Sequence, residues 1–91
     1  MERYHKWFDT KMHPMATNPG IYLFTVEIEE SGETSRMTLS GILVKNKNYP
    51  HGWQVCTYGY PCVFHDFEEK TDTGCNRLLA WAFMPDPYGI S

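Results

Sequence analysis

His51, Cys56, Cys62, His65 and Cys75 are the thiols and imidazoles with which this chain could do metal or nucleophile chemistry. Zinc takes four tetrahedral Cys or His ligands, usually offered in close pairs. Cys62-Val63-Phe64-His65 has such a two-residue gap, but in a strand its two ends point to opposite faces. Cys56 and Cys75 are too far apart in sequence to form a second close pair. The pattern predicts buried thiols and a surface histidine, with no metal site and no cofactor. Cys62 with His65, or Cys56 with His51, would make a nucleophile and its base, with Asp66 as the orienting group. Neither cysteine stands at a Gly-Cys elbow or a helix start that would lower its pKa. Inert thiols and a non-enzyme are therefore expected. Carboxylates gather at Glu27, Glu29, Glu30 and Glu33, and again at Asp66, Glu68, Glu69 and Asp72. Acid–base work or calcium binding uses such groups, but beside turns they read as solvated sheet edges.

The aromatic residues are more informative. Trp53, Tyr58 and Tyr60, with Tyr49 nearby, surround a loop and a proline break, where a core does not require them. Aromatic rings stack on bases, and one cation neutralises a phosphate. The predicted ligand site is Trp53, Tyr58 and Tyr60 with the cations Arg36, Arg77 and Lys47. Trp7 and Trp81 are assigned to the core.

The elements that must position these groups are mostly strands. Phe24, Val26 and Ile28 alternate with Thr25, Glu27 and Glu29, so Ile21 to Glu29 is a half-buried strand. Glu30-Ser31-Gly32-Glu33 is a hairpin turn. Arg36 to Val44 returns with Met37, Leu39, Gly41 and Leu43 on one face, and Gly41 marks a bulge or a close approach. Trp53 to Tyr60 is a third strand, which Pro61 interrupts and Cys62 to Phe67 continues. Asp72-Thr73-Gly74 is a turn, and Arg77 to Met84 is a last, continuously apolar strand covered on both faces. Near the start, Tyr4, Phe8 and Met12 share one face of a short helix, with a turn at Asp9-Thr10 as the alternative. The loop from His13 to Gly20 holds two prolines. The expected fold is α+β but mainly β: a small curved antiparallel sheet of four to five strands with a short N-terminal helix or turn. Strong curvature, a partial barrel or a dimer interface would cover its second face.

Length and charge narrow the partners. The 91 residues make a single domain, too small for a dinucleotide-binding doubly wound fold, a kinase or a (β/α)8 barrel. With 15% aromatic residues, the core must rely on large rings. Eleven acidic and eight scattered basic residues give a net charge of −3, which excludes the basic footprint of a duplex-nucleic-acid binder. No apolar run suits a membrane helix and none follows the N-terminus as a secretory signal would, so a cytoplasmic location is expected. An odd cysteine count precludes a fully paired disulfide framework.

Trp81, Pro85, Asp86 and Pro87 stand at the spacing of Trp, three residues, Pro, acidic residue, Pro. Trp7, a proline-bearing loop and Gly20-Ile21-Tyr22 leading into a strand precede it in order, and Trp53 follows the first hairpin. This arrangement resembles a family of small phage and prophage proteins, domain of unknown function family 551. It covers both ends of the chain. Phe83 departs from the family's usual proline, and Cys56 to Cys75 has no counterpart in its pattern. The resemblance implies a phage origin, a small α+β or mainly β domain, and no catalytic residues. By analogy with phage accessory proteins of similar size, it implies a sponge for a nucleotide-like signal of host defence. The alternative is a protein–protein module that blocks or adapts a host protein. The expected partners are thus a small anionic ligand or a host protein, with the chain itself a homo-oligomer.

Overall fold

A computed structural model describes residues 6–84. It is an antiparallel sheet of seven strands rather than four or five. These are β1 (Phe8–Asp9), β2 (Gly20–Glu30), β3 (Glu33–Lys45), β4 (Trp53–Thr57), β5 (Val63–Phe64), β6 (Glu68–Lys70) and β7 (Gly74–Phe83). The extra strands are two or three residues long, too short to show a period in the sequence.

β2 and β3 form the long central hairpin, paired from Gly20↔Leu43 to Glu30↔Glu33. Ser31 and Gly32 both adopt positive φ, 53° and 86°, as a two-residue turn matched to the strand twist requires. The path across the sheet is β1-β7-β2-β3-β4-β5, and β6 shares the outer edge of β7 with β1. In a flat sheet β5 and β6 would lie five spacings apart, ~24 Å. Only four residue steps join Phe64 to Glu68, a reach of at most ~14 Å. The sheet must therefore curl until its two edges approach, and Phe67 O accepts the Leu78 amide at 2.8 Å as the connection passes.

The inside of the curl is the core. Phe24, Val26, Leu43, Val55, Phe64 and Leu78 are fully buried there. Each such side chain stabilises the fold by ~2 kcal/mol through lost apolar exposure. The register shifts between Thr25 and Val26, where Ala80 and Leu78 are successive partners and Leu79 is left over. This bulge carries Leu78 and Trp81 to the same inner face, although they are three residues apart. It also explains the unbroken apolar run of the last strand, which the sequence alone suggested was covered on both faces.

Of the short helix and the turn at Asp9-Thr10 that the sequence left open for the N-terminal segment, the helix is not formed, and a two-residue strand leads into a turn. Phe8 and Asp9 pair with Trp81 and Ala80. Asp9 Oδ1 then accepts the Lys11 amide at 2.8 Å, a side-chain bond that competes with helix formation. Tyr4, the first residue of the predicted helical face, and Pro85, Asp86 and Pro87 of the tail pattern lie outside the described residues. Trp7 is also corrected: it is exposed, on the outer side of β1 rather than in the core.

Candidate functional site

The six residues predicted as a ligand site lie in separate places. Trp53 points into the core at 4% exposure, between the His51 ring at 5.9 Å and the Phe67 ring at 5.2 Å. Tyr58 and Tyr60 are exposed on the β4–β5 turn. That turn is braced by Thr57, whose hydroxyl donates to Tyr60 O at 2.8 Å and accepts the Cys62 amide at 2.8 Å. Lys47 is exposed in the β3–β4 loop. Arg36 and Arg77 stand on the outer face of β3 and β7, together with each other but apart from the aromatic residues.

Both arginines are already committed to carboxylates. Arg77 Nη1 lies 3.2 Å from Glu27 and 3.0 Å from Glu29, and its Nε lies 2.9 Å from Glu68. Arg36 Nε donates to the other oxygen of Glu27 at 3.0 Å. The register brings Glu27 opposite both arginines, on β3 and on β7. Bonding from Arg36, and then from Arg77, holds the Glu27 carboxyl below the usual range. Arg77 does the same to Glu68. Its own pKa is raised by Glu29 and then Glu68. The cluster is a closed charge network that braces β2, β3, β6 and β7.

The cysteines and histidines do not converge either. Cys62 and Cys75 are buried, and burial pushes both thiols up. Cys56 faces outward on β4, where Gln54 Nε2 donates to its sulfur at 3.6 Å. Among the described residues, no group of three His, Cys, Asp or Glu side chains could hold a metal ion. The histidines pair with acids instead. His51 Nε2 is 3.0 Å from Asp66, and His65 Nδ1 is 2.9 Å from Glu69. Each of these carboxylates also accepts a backbone amide, Phe67 N on Asp66 and His65 N on Glu69. Together they pin the connection that closes the curl.

One recess does gather aromatic groups, and sequence reasoning missed it. Where β2 and β7 end beside the loop from His13 to Asn18, a cavity of about 360 Å³ opens, lined by Phe8, His13, Tyr22, Trp81 and Phe83. The Phe8 and Trp81 rings stack at 4.3 Å. Phe83 meets the Trp81 ring nearly edge-on at 5.3 Å, and Tyr22 at 5.7 Å. The loop is held down by its carbonyls: Trp81 Nε1 donates to Pro14 O at 3.2 Å and Tyr22 OH to Asn18 O at 2.6 Å. Phe83 remains 59% exposed at the rim. Lys6 Nζ lies 5.4 Å over the Phe8 ring, and the His13 ring, which lines the recess, meets Phe8 edge to face at 5.5 Å. Phe83 belongs to the apolar run expected to be covered on both faces, and its exposure corrects that expectation at the strand's end.

No family model, no curated protein and no solved structure matches this chain.

Proposed function

We propose that this chain is a non-enzymatic binding module that captures a small planar ligand of nucleobase-like chemistry in the recess of Phe8, Tyr22, Trp81 and Phe83. The observation that carries the reading is Phe83, a phenylalanine left 59% exposed at the rim of a ring-lined cavity of about 360 Å³. An inserted base gains roughly 1–3 kcal/mol per stacking contact. The recess is built of rings and of carbonyl oxygens that already accept bonds, a lining suited to capture rather than turnover. An anionic group on the ligand would meet His13, which lines the recess, because Arg36 and Arg77 would have to abandon carboxylates to reach one. Sequestration of a nucleotide-like signal by a small phage-derived accessory protein, acting in the host cytoplasm, is the role this reading suits.

Titration of tryptophan fluorescence with linear and cyclic mononucleotides tests it. Saturable quenching that Phe83→Ala abolishes, and Arg36→Ala leaves intact, is expected. A panel that leaves both fluorescence and melting temperature unmoved would overturn it.

A second reading, a module that blocks or adapts a host protein, is favoured by Tyr58 and Tyr60. Two exposed tyrosines on a braced turn are the rigid, amphipathic anchors that protein interfaces use.

A further inference from the structure

β3 has two sides, and the fold covers only one of them along its length. Toward β2 it is paired from Glu33 to Leu43. Toward β4 the pairing runs only from Gly41 to Lys45, and the Tyr58 amide adds one bond to Ser40 O at 2.9 Å. From Glu33 to Leu39, no strand lies on that side among the described residues. The opposite edge of the sheet is treated differently. β7 is covered from Cys75 to Trp81 by β6, by the Leu78 amide on Phe67 O, by the Thr10 amide on Leu79 O and by β1.

In an antiparallel pair, alternate residues turn both backbone groups toward the partner or away from it. Ser40 O points away from β2, since it accepts the Tyr58 amide, so Thr38, Arg36 and Thr34 point away as well. Their N–H and C=O groups make an open ladder. The segment has no Pro, no Lys and no bulge, the devices that commonly block such an edge. Its mid-edge charge, Arg36, is drawn back over β2, because Nε donates to Glu27 at 3.0 Å.

We infer that this edge takes up an extended segment of a partner protein as an added β-strand. The inference rests on the reading of the chain as a module that binds a host protein, and it gives that reading a place and a chemistry. Main-chain bonds to Thr34, Arg36 and Thr38 supply affinity, and alternate side chains supply specificity. On the inner face the segment meets Met37 and Leu39, half-buried and packed against the core, so its side chains there are apolar. On the outer face it meets Thr34 and Thr38, whose hydroxyls suit Thr or Ser. At the hairpin tip, Glu33 and its partner Glu30 are both exposed, so a Lys or Arg fits that end. The net charge of −3 also draws a cationic segment inward. At the other end stand the exposed Tyr58 and Tyr60, fixed beside Ser40 by the Tyr58 amide.

Amide hydrogen exchange on the full chain, read residue by residue by nuclear magnetic resonance, tests this with one synthetic peptide. The peptide runs antiparallel to β3, with Val opposite Ser35, Met37 and Leu39, Thr opposite Thr34, Arg36 and Thr38, and Lys opposite Glu33. In the free chain the amides of Ser35, Met37 and Leu39 are expected to exchange slowly and those of Thr34, Arg36 and Thr38 fast, at every chain concentration. Millimolar peptide is expected to slow these three by at least ~10-fold. The same peptide N-methylated opposite Thr34, Arg36 and Thr38 is expected to slow none of them. Thr38→Pro removes an outward donor and no bond of the β2–β3 ladder. It is expected to weaken the peptide by about tenfold while the amides bonded to β2 stay slow. If the three amides are already slow in the free chain, the edge is filled by this chain or a second copy, and the inference is overturned. A peptide that shifts the Tyr58 and Tyr60 resonances but leaves the three amides fast overturns the edge and leaves the protein-binding reading standing. A peptide that changes nothing overturns the edge as a docking site.

Discussion

The ring of Phe8 lies on the ring of Trp81, centroids 4.3 Å apart and planes 20° apart, across the pairing that joins β1 to β7. β1 has only two residues and two paired positions, so its backbone alone anchors it weakly. The stack, together with the Thr10 amide on Leu79 O and the Thr10 hydroxyl on Leu78 O and Leu79 O, ties the N-terminal segment to the sheet, and it supplies one wall of the recess. Phe8→Ala is expected to cost about 2 kcal/mol, below the range for a fully buried phenylalanine because Phe8 is only half-buried. Urea denaturation followed by circular dichroism checks this. A loss under ~0.5 kcal/mol would mean that β1 is held by something other than the stack.

Gly41 illustrates a position that only glycine can fill. A Cβ there would stand 2.8 Å from Cys56 O, 3.1 Å from Thr57 Cα and 3.2 Å from a Phe24 ring carbon. Two of those three atoms are backbone of the adjacent strand and cannot rotate away. Gly41→Ala is expected to destabilise by ~2 kcal/mol through overpacking. For a domain of this size that lowers the melting temperature by roughly 10 °C, as calorimetry would show. Of the two readings open at Gly41 in the sequence, a bulge or a close approach, the structure realises the close approach, and the bulge lies instead at Leu79.

That contrast shows what the sequence could reveal. The β2–β3 hairpin was legible because Phe24, Val26 and Ile28 alternate cleanly and Ser31-Gly32 can take positive φ. β7 was legible as a strand but not in its facing, because one extra residue at Leu79 reverses the phase and no local signal announces it. β1 and β6 were illegible because two or three residues carry no period, whereas β5, Val63–Phe64, falls within the expected continuation from Cys62 to Phe67 but is shorter than it. The site suffered most. Arg36 and Arg77 looked free as single residues, yet the register places three carboxylates against them, and register is a non-local property.

The same network predicts an acid limb of stability. Glu27 and Glu68 have pKa values lowered from the ordinary 4.5 by bonds from Arg36 and Arg77. A carboxyl with a lower pKa folded than unfolded favours the folded state in its charged form. Its contribution is complete above the unfolded value and disappears as pH falls through the folded one. The melting temperature should hold steady from neutral pH to about 5 and drop below 4.5. Glu27→Gln should lower it at neutral pH and flatten the acid limb. Thermal melts of both proteins between neutral pH and pH ~3 read the effect, and parallel curves would show that other groups set the acid response.

Tyr22 connects the core to the loop that walls the recess. Its ring is buried against Trp81 at 5.5 Å, while its hydroxyl donates to Asn18 O at 2.6 Å. Tyr22→Phe keeps the ring and removes the bond. Asn18 is exposed, so water can take the donor's place and the global cost should stay near 1 kcal/mol. The local effect should be larger, because beyond the His13 amide on Asp9 O the loop is tied by Trp81 Nε1 on Pro14 O and a longer bond, 3.4 Å, from Lys45 Nζ to Ala16 O. Loss of the Asn18 anchor frees the end of the loop next to Phe83 while Met15 and Ala16 remain seated in the core. Amide hydrogen exchange should therefore speed up severalfold between Thr17 and Ile21 and stay constant along β3 and β4. If exchange rose uniformly instead, the hydroxyl would be serving the whole fold, and the recess would not depend on this loop for its wall.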